Sequence, residues 1–566
     1  MTDPVFRCFQ GCRLSRRRSL FRCQPALSLL RAEYGKGLST RREFLTGICA
    51  LGVSAPVARA LAGPVLAQDT SRIAQGGTLR IQQNVKALRD PRTYDWSEMG
   101  NQTRGFLEYL VQYNRDGSFQ GMLLERWEAN EDATRYRLYV RRGVSWSNGD
   151  AFTAEDVAHN LRRWCDRSAP GNSMATRLSG LCQGPDGALR EDAINVEDAH
   201  TLSLTLSHPN IALIADLSDY PAAVVHPSYD GGDPFAHGIG TGPFRPTDMV
   251  VGERCILDRD TSRPWWGSAV YGGPYVDRVE FLDYGTDPAK WLAAAEADEV
   301  DLLYESVGDF IDAMSDIGWT QTRTDSAATM VIRANADAVI DDRQPYANAR
   351  VRRALALAVD NDVCLELGYG GRGLVAQNDH VCPIHPAHAL LGPVDTDPAH
   401  ARAEIVTAGF GDFRHKLVTI DDEWQRNTGD AVAAQLNDAG IPTERVIEPT
   451  TSYWENWKGH PFSATQWNHR PLGVQVLSLA YRSNAVWNET GFASPAFDAA
   501  LDQAMSINAV QARRRVMAEL QGLLRDQGVI IQPYWRTLYN HNNGRLVNAG
   551  RHPSNEIHLH RIGFAA

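Results

Sequence analysis

The chain has 566 residues, more than one hydrophobic core usually supports, so two or more domains are expected. Its hydrophobic content of 43% and charged content of 22% are ordinary for a globular protein. The net charge of −11 argues against nucleic acid as a partner, because binding phosphates needs a basic surface.

The first 67 residues differ in charge from the rest of the chain, with eleven Lys and Arg against three Asp and Glu. Arg41 and Arg42 precede an apolar stretch over residues 47–62. A charged region followed by a short apolar run and small residues is typical of an export signal, and adjacent arginines resemble the twin-arginine signature. We therefore interpret residues 1–67 as an N-terminal extension and export signal of a soluble periplasmic protein.

Five cysteines follow that segment: Cys165, Cys182, Cys255, Cys364 and Cys382. An oxidising compartment favours disulfides among them. The pairs Cys165–Cys182 and Cys364–Cys382 would each close a short loop and leave Cys255 as a buried thiol. The alternative is that all five are buried and unpaired.

Alternating apolar and polar residues predict three half-buried strands in the first half of the chain, at residues 77–85, 136–140 and 202–206. A helix is predicted between the last two strands. Thr153 is its N-cap and Asp156 its acidic N3 residue.

Helical periodicity dominates the second half of the chain and predicts four helices, over residues 348–359, 398–408, 431–437 and 494–526, the last with a break near Asn508. The apolar run at 529–531 predicts a buried strand. No stretch after residue 67 is long and apolar enough to predict a membrane span. Mixed short strands and helices indicate an α/β or α+β chain.

Ordered motifs run from residue 76 to residue 547. The densest lies at residues 124–157, where LERWE, which resembles a helix end in a family motif, is followed by GVSWSNGD, with a tight Asn-Gly turn, and by FTAEDV. Further motifs lie at Gly76–Arg80, Gly240–Phe244, Asn348–Asp360, Asp397–Phe410, Gln435–Ile441 and Pro533–Trp535, in the same order as in one protein family. Together they resemble bacterial extracellular solute-binding protein family 5, which includes dipeptide-, oligopeptide- and nickel-binding proteins of ABC transporters.

The resemblance implies an α/β, two-lobed periplasmic binding protein fold with a hinge and an enlarged N-terminal lobe. Lobe I is expected over residues 68–330, completed by residues 527–566, and lobe II over residues 331–526. In the family, a solute enters the crevice between the lobes, and the lobes close over it.

The resemblance also implies a function: a periplasmic component that binds peptides or peptide-like solutes and delivers them to an ABC permease with its ATPase subunits at the inner membrane. The sequence has no Walker phosphate loop, no Gly-x-Ser-x-Gly and no His-Glu-x-x-His, so we expect neither enzyme activity nor a cofactor. We expect a monomer. Alternatives are a carrier of opines, other amino-acid conjugates or a metal chelate and, from another class, a secreted metalloprotein.

The segment from Trp467 to Gly473 departs from the family pattern. In dipeptide and oligopeptide binders this segment offers an acidic residue to the ligand's α-amino group, whereas residues 466–482 contain no Asp or Glu. Arg470 instead offers paired planar donors that suit a carboxylate. We predict that Arg470, beside His469, binds an anionic group of the ligand, and a structural salt bridge is the alternative.

Aromatic and turn residues complete the predicted site. Fourteen tryptophans are enough to line a large cleft, although core packing is the alternative. The turn at Gly240 to Pro243 is expected to leave backbone groups free near the ligand. The predicted ligand-binding residues are Arg470, His469, Asn468, Trp467, Trp454, Tyr453, Thr241 and Gly242.

The spacing of Cys382, His385 and His388 could ligate a metal. Pro383 and Pro386, however, predict an extended, solvated loop with Cys382 in a disulfide. We therefore predict neither a metal site nor catalytic residues.

Overall fold

The computed structural model describes residues 73–183 and 187–566, so the predicted export signal lies outside the described residues. No helix within these ranges is long and apolar enough to cross a membrane. The α-helices in these ranges are α1 Ser97–Thr103, α2 Ala154–Cys165, α3 Met174–Arg177, α4 Leu213–Asp216, α5 Pro234–His237, α6 Ser268–Tyr271, α7 Pro288–Glu296, α8 Phe310–Asp316, α9 Ala349–Leu357, α10 Asn361–Tyr369, α11 Pro398–Thr407, α12 Glu423–Asp438, α13 Thr450–Glu455, α14 Gly473–Ala480, α15 Pro495–Ser506 and α16 Val510–Asp526.

Strands are distributed along the whole described chain. They are β1 Thr78–Gln82, β2 Val111–Tyr113, β3 Phe119–Gly121, β4 Leu124–Ala129, β5 Arg135–Val140, β6 Cys182–Gln183, β7 Ala188–Leu189, β8 Ile194–Asp198, β9 Thr201–Thr205, β10 Phe244–Val250, β11 Arg254–Arg259, β12 Arg278–Leu282, β13 Leu302–Leu303, β14 Thr320–Ala334, β15 Gly373–Val375, β16 His415–Ile420, β17 Thr443–Glu448, β18 Phe462–Trp467, β19 Ile530–Ile531, β20 Tyr534–Asn542, β21 Leu546–Val547 and β22 Gly563–Phe564.

Twelve strands form one long sheet. Its order is β10-β11-β12-β1-β13-β20-β14-β18-β16-β17, with β15 paired to β20 and β19 to β14. β1 is parallel to β12 and β13, and β16 is parallel to β17 and β18. A separate antiparallel sheet, β4-β5-β9-β8, packs in the first half of the chain.

The 15-residue strand β14 lies in the middle of the long sheet, between β20 and β18, and connects its two halves. Its first half pairs with β20, from Thr320 opposite Asn542 onwards. Its second half pairs with β18, ending with Ala334 opposite Phe462. A register shift between Asp325 and Thr329 interrupts the pairing with β20, and Thr329 then lies opposite both Trp535 of β20 and Trp467 of β18. One strand therefore connects the elements before it with those after it.

Two hydrophobic regions lie on either side of this strand in the sequence. The N-terminal core contains buried residues from 79 to 302, together with Ala549, Leu559 and Ile562 from the end of the chain. The C-terminal core contains buried residues between 330 and 534, mostly from α9 to α16 and the strands among them, together with Ala212. The end of the chain thus packs beside its beginning.

Most predicted elements are confirmed. Thr153 caps α2, and the Asp156 side chain accepts from the Thr153 backbone in return, which completes a capping box. The predicted break in the helix after Ser494 separates α15 from α16. The helix predicted over 431–437 begins eight residues earlier, at Glu423, because burial of Trp424 and Thr428 compensates for a weakly helical sequence.

Two predicted conformations are wrong. Residues 124–128, which resemble a helix end in the family motif, form strand β4, because they pair with β5. The loop containing Cys382 and His385 is not solvated, since these side chains are only 0% and 4% exposed. Hydrogen bonds and packing hold this proline-containing segment inside the protein.

The cysteines agree only partly with the prediction. Cys255 is a buried thiol, as predicted. Cys165 and Cys182 are hydrogen-bonded neighbours, but both are thiols in this structure. The predicted Cys364–Cys382 disulfide is wrong: the Cys364 sulfur accepts from Gln435 Nε2 at 3.2 Å, and Cys382 lies in a different hydrophobic cluster.

Candidate ligand-binding crevice

Two adjoining cavities are lined both by segments that precede β14 and by segments that follow it. The larger, of about 450 Å³, also receives the cations Arg89, Lys458 and Arg470, against one acid, Asp95. We name it the tryptophan chamber after its five tryptophans, Trp96, Trp454, Trp457, Trp467 and Trp487. Its volume and aromatic walls suit a small organic ligand.

The smaller cavity, of about 350 Å³, has predominantly acidic walls, and we name it the acid chamber. Lys86 and Arg426 are the cations that line it. Its acidic residues are Glu98, Glu305, Asp421, Asp422 and Glu423. The two chambers therefore present side chains of opposite charge to a ligand that occupies both.

The chambers meet at a pair of tryptophans. Trp96, just before α1, and Trp454, on α13, lie edge to face with ring centroids 4.6 Å apart. Gln466 and Asn468 also line both cavities. Because Trp96 precedes β14 and Trp454 follows it, this contact joins the two sides of the crevice.

Strand β18 and the turn after it deliver several side chains to the crevice. The indole of Trp467 donates from Nε1 to Glu489 at 2.7 Å. Glu489 also forms a fully buried ion pair with Arg333 at 3.0 Å and accepts from Thr465. Donors from three side chains therefore converge on one buried carboxylate, which holds the Trp467 ring in one orientation.

Arg470 is 4% exposed and lines the tryptophan chamber. Its Nη2 donates to the Tyr220 hydroxyl at 3.3 Å, and its Nε lies 3.6 Å from an Asp219 carboxylate oxygen. Tyr220 and Trp487 place their rings within 5.6 Å of the guanidinium carbon. Arg470 thus has a counter-charge within the protein, while its buried Nε has no hydrogen-bond acceptor in the described chain.

Asp219 is shared between two arginines. Arg177 Nη1 donates at 2.6 Å to Asp219 Oδ2, the same oxygen that lies 3.6 Å from Arg470 Nε. Although burial opposes ionisation, Arg470 and Arg177 hold the pKa of Asp219 below its usual range. Nearby Asp216 accepts from Gln475 Nε2 at 2.8 Å, and burial raises the pKa of Asp216 to about 7.

His469, unlike Arg470, lines neither chamber. Its Nδ1 accepts from the Ala327 backbone at 3.0 Å, and its Nε2 lies 3.0 Å from the Tyr113 hydroxyl. Both ring nitrogens are therefore engaged within the protein, and burial holds the pKa of His469 well below its usual range. This geometry indicates that His469 braces the turn before Arg470 rather than facing a chamber.

The structure brings four of the eight predicted site residues together. Arg470, Asn468, Trp467 and Trp454 line the tryptophan chamber. Tyr453 lies behind that wall, where it is 1% exposed and its hydroxyl donates to the Ala464 carbonyl at 2.7 Å.

Thr241 and Gly242 line neither chamber. The backbone of this turn is not free, because the Gly242 nitrogen donates to Phe106 and its carbonyl accepts from Arg263 at 2.7 Å. A Cβ atom on Gly242 would lie 2.5 Å from the Gly105 oxygen. Glycine is needed here for close backbone packing.

The histidines of the Cys382 segment also have other partners. His385 Nδ1 accepts from the Cys382 backbone at 3.0 Å, and its Nε2 donates to the Arg470 carbonyl at 2.9 Å. In the described chain, the one cluster with metal-ligand spacing is His552, Glu556 and His558. Glu556 there is already paired with Arg104 at 3.1 Å and with His558.

Several crevice residues were missed by the sequence analysis. The tryptophan count indicated an aromatic cleft, but no local pattern singled out Trp96, Trp457 or Trp487. The acidic run at residues 421–423, where α12 begins, is a signal visible in the sequence. Glu98 has no comparable signal, because it reaches the crevice only through the packing of α1.

The chain is similar in sequence to known bacterial solute-binding proteins. The family model described as "Bacterial extracellular solute-binding proteins, family 5 Middle" matches residues 118–488. The dipeptide-binding protein DppE of Bacillus subtilis is 22% identical over 82% of this chain and 87% of its own length. The periplasmic oligopeptide-binding protein OppA of Escherichia coli is 21% identical over 89% of this chain and 92% of its own.

Solved structures show the same fold. The periplasmic binding protein DppA of Helicobacter pylori, in complex with peptide STSA, superposes with a TM-score of 0.73 at 17% identity, covering 88% of this chain and 100% of the other. AgaA of A. tumefacien R10, in complex with agropinic acid, gives 0.74 at 18%, covering 87% and 99%. The predicted two-lobed periplasmic binding protein fold is confirmed. The chain belongs to the family 5 bacterial extracellular solute-binding proteins.

Proposed function

We propose that this protein is the periplasmic substrate-binding component of an ABC importer for peptides or peptide-like solutes. The observation that carries the proposal is the pair of adjoining chambers, enclosed by walls from before and after β14 in a member of this family. Relatives whose names describe dipeptide and oligopeptide binding support the peptide class. The protein would bind its solute without chemistry and act as a monomer.

Lobe movement follows from the same assignment. We assign residues 68–330 to lobe I, completed by residues 527–566, and residues 331–526 to lobe II. Within the completing segment, Ile530, Ile531 and Tyr534 still pack in the C-terminal core, and the return to the N-terminal core is seen at Ala549, Leu559 and Ile562. The shared strand β14 lies at their boundary, where a bend would open the crevice. The closed protein would then dock on a permease whose ATPase subunits supply the energy.

Arg470 is the proposed anchor for an anionic group of the solute. The Arg470 guanidinium lines the tryptophan chamber and has more N–H donors than its contacts with His469 and Tyr220 use, so it can also donate to a ligand carboxylate. Asn468, Trp467 and Trp454 would contact the rest of the ligand. Asp219 supplies the charge that keeps Arg470 stable in the empty protein.

The test is the identity of the bound solute. Protein purified from the periplasm is denatured, and the released small molecules are identified by mass spectrometry. Short peptides or amino-acid conjugates with a carboxylate are expected. A released sugar, or a metal complex without any peptide-like part, would contradict the proposal.

An opine or similar amino-acid conjugate is the second candidate. The structural likeness to AgaA, solved with agropinic acid, favours it, as does a cation in a segment where the family offers an acid to an amine. The same mass spectrum distinguishes the two, because an opine lacks a free primary α-amino group and a peptide bond.

A further inference from the structure

Apart from Glu423, which is exposed, the acidic residues of the acid chamber fall into two groups. Glu305 pairs with Arg536 at 2.8 Å and with Arg551 at 3.4 Å, and Asp421 pairs with Arg426 at 3.1 Å. These carboxylates are already neutralised.

Glu98 and Asp422 form the second group. In the described ranges, neither carboxylate has a Lys, Arg or His nitrogen within 4.0 Å. Glu98 accepts from Ser97 at 3.3 Å, and Asp422 accepts from Gln425 at 2.9 Å. Burial raises the pKa of Asp422, and removing a carboxylate from water without a cation is unfavourable.

The two carboxylates belong to different sides of the crevice. Glu98 is on α1, before β14, whereas Asp422 immediately precedes α12, after it. Both line the same cavity of about 350 Å³. A cation placed between them would therefore contact both sides and favour closure.

A separate observation concerns the junction of the two chambers. The Trp454 indole nitrogen and the Asn468 Oδ1 are buried, and neither has a hydrogen-bond partner in the part of the chain that the structure describes. One is a donor and the other an acceptor. A peptide group carries the complementary acceptor and donor, so the junction fits an amide that crosses from one chamber to the other.

We propose that the acid chamber binds an ammonium group of a short peptide between Glu98 and Asp422, that a peptide bond crosses the junction, and that the acidic end reaches Arg470 in the tryptophan chamber. This assignment rests on the proposed function and adds the orientation of its ligand. The ammonium is either an α-amino group or a lysine side chain, because both offer the same donors.

The experiment compares two pools of random tripeptides, one with free α-amino groups and one N-acetylated. Each is incubated with immobilised protein freed of its solute, and retained peptides are quantified by mass spectrometry. Retention of the free pool should exceed that of the acetylated pool by roughly 30-fold or more, because the charged pair is desolvated. Lysine-containing peptides enriched in the acetylated pool would identify the side chain as the source.

The variant Glu98→Gln/Asp422→Asn should bring the two pools close to equal retention. The matched control is Asp430→Asn/Glu444→Gln, which removes the same charge outside both chambers and should keep the preference. Thermal unfolding checks that each variant is folded.

The outcomes separate this assignment from the proposed function. If both pools are retained equally and acetylated lysine peptides are not enriched, or if the preference survives in the double variant, the acid chamber does not bind the ammonium. Peptide binding itself would then stand. If neither pool is retained, peptide binding is contradicted, and the orientation falls with it.

Discussion

Arg470 follows β14 in the chain, but its side chain contacts residues that precede β14. A single side chain therefore connects ligand binding with closure of the crevice. Its partners Asp219 and Tyr220 lie in the first half of the sequence. A ligand carboxylate and Asp219 would therefore share one guanidinium. The two roles predict different effects for two substitutions.

Replacing Arg470 by Ala should weaken binding of the copurified solute by roughly 30-fold or more, since losing one partner of a buried charged pair costs about 2–5 kcal/mol. Arg470→Lys should recover only part of it, because lysine lacks paired planar donors. Calorimetric titration measures both. Asp219→Asn should preserve affinity if Arg470 binds the ligand, whereas equal losses in Arg470→Ala and Asp219→Asn would indicate a purely structural bridge.

Asp216 predicts a pH dependence. Burial raises its pKa to about 7, whereas an unfolded aspartate titrates near pH 4. The raised pKa contributes stability that is complete below about pH 4 and is lost as the pH rises through about 7. Asp216→Asn keeps an acceptor for Gln475 but cannot ionise.

Relative to the wild type, Asp216→Asn should therefore gain stability between pH 4 and pH 8, by at most about 4 kcal/mol. Urea unfolding at several pH values measures the difference. The exposed Asp502→Asn is the control and should show no such trend. A difference for Asp216→Asn that does not change with pH would contradict this assignment.

At the residue scale, the sequence predicted the crevice only in part. Arg470 and Trp467 were identified because they lie in a motif with a departure from its family pattern. Trp96 and Glu98 could not be identified, because only the tertiary fold brings Trp96 into contact with Trp454 and places Glu98 in the same cavity as Asp422. Tyr453 was predicted from composition alone, and its hydroxyl turns inward.

At the scale of elements, a helix boundary is predictable when side chains close to it in the sequence cap it. Thr153 and Asp156 specify the start of α2 through their side chains, so that boundary was predictable. The start of α12 was not, because burial of Trp424 decides it. Prolines suggested an exposed segment around Cys382, but tertiary hydrogen bonds bury it.

The end of α2 and strand β6 bring two cysteines together. Hydrogen bonding by Cys165 lowers the pKa of Cys182, and a lower pKa favours the thiolate that reacts in disulfide formation. In an oxidising compartment we expect a Cys165–Cys182 disulfide, worth about 3 kcal/mol for a loop of this length. Peptide mapping without reduction should find it, and urea unfolding with and without reductant should show the stability difference.

Cys255 and Cys364 serve as internal controls, because both are buried thiols without a cysteine neighbour in the described structure. They should react with an alkylating reagent only after unfolding. Alkylation of Cys165 and Cys182 in unreduced, unfolded protein from the periplasm would show that the pair stays reduced.

For the whole molecule, the connection between the two cores depends on pairings that are distant in sequence. Thr320 lies opposite Asn542, and Ala334 lies opposite Phe462. Neither register can be predicted from periodicity, which describes faces but not partners. The two-lobed fold was predicted from ordered family motifs, while their spatial assembly required the structure.

Export can be tested with the whole precursor. If residues 1–67 contain a twin-arginine signal, replacing Arg41 and Arg42 by Lys should leave precursor in the cytoplasm. Cell fractionation and immunoblotting measure the distribution. Undiminished protein in the periplasm of this variant would exclude the twin-arginine route.

The contact between Trp96 and Trp454 makes the protein its own optical probe. Two indoles whose centres are 4.6 Å apart couple electronically, and this coupling contributes to circular dichroism in the near ultraviolet. Opening of the crevice would separate them, whereas a bound solute that favours the closed form would increase the coupled signal. Trp96→Phe should abolish that solute-dependent change, and an unaltered change in this variant would mean that other aromatic residues report the movement.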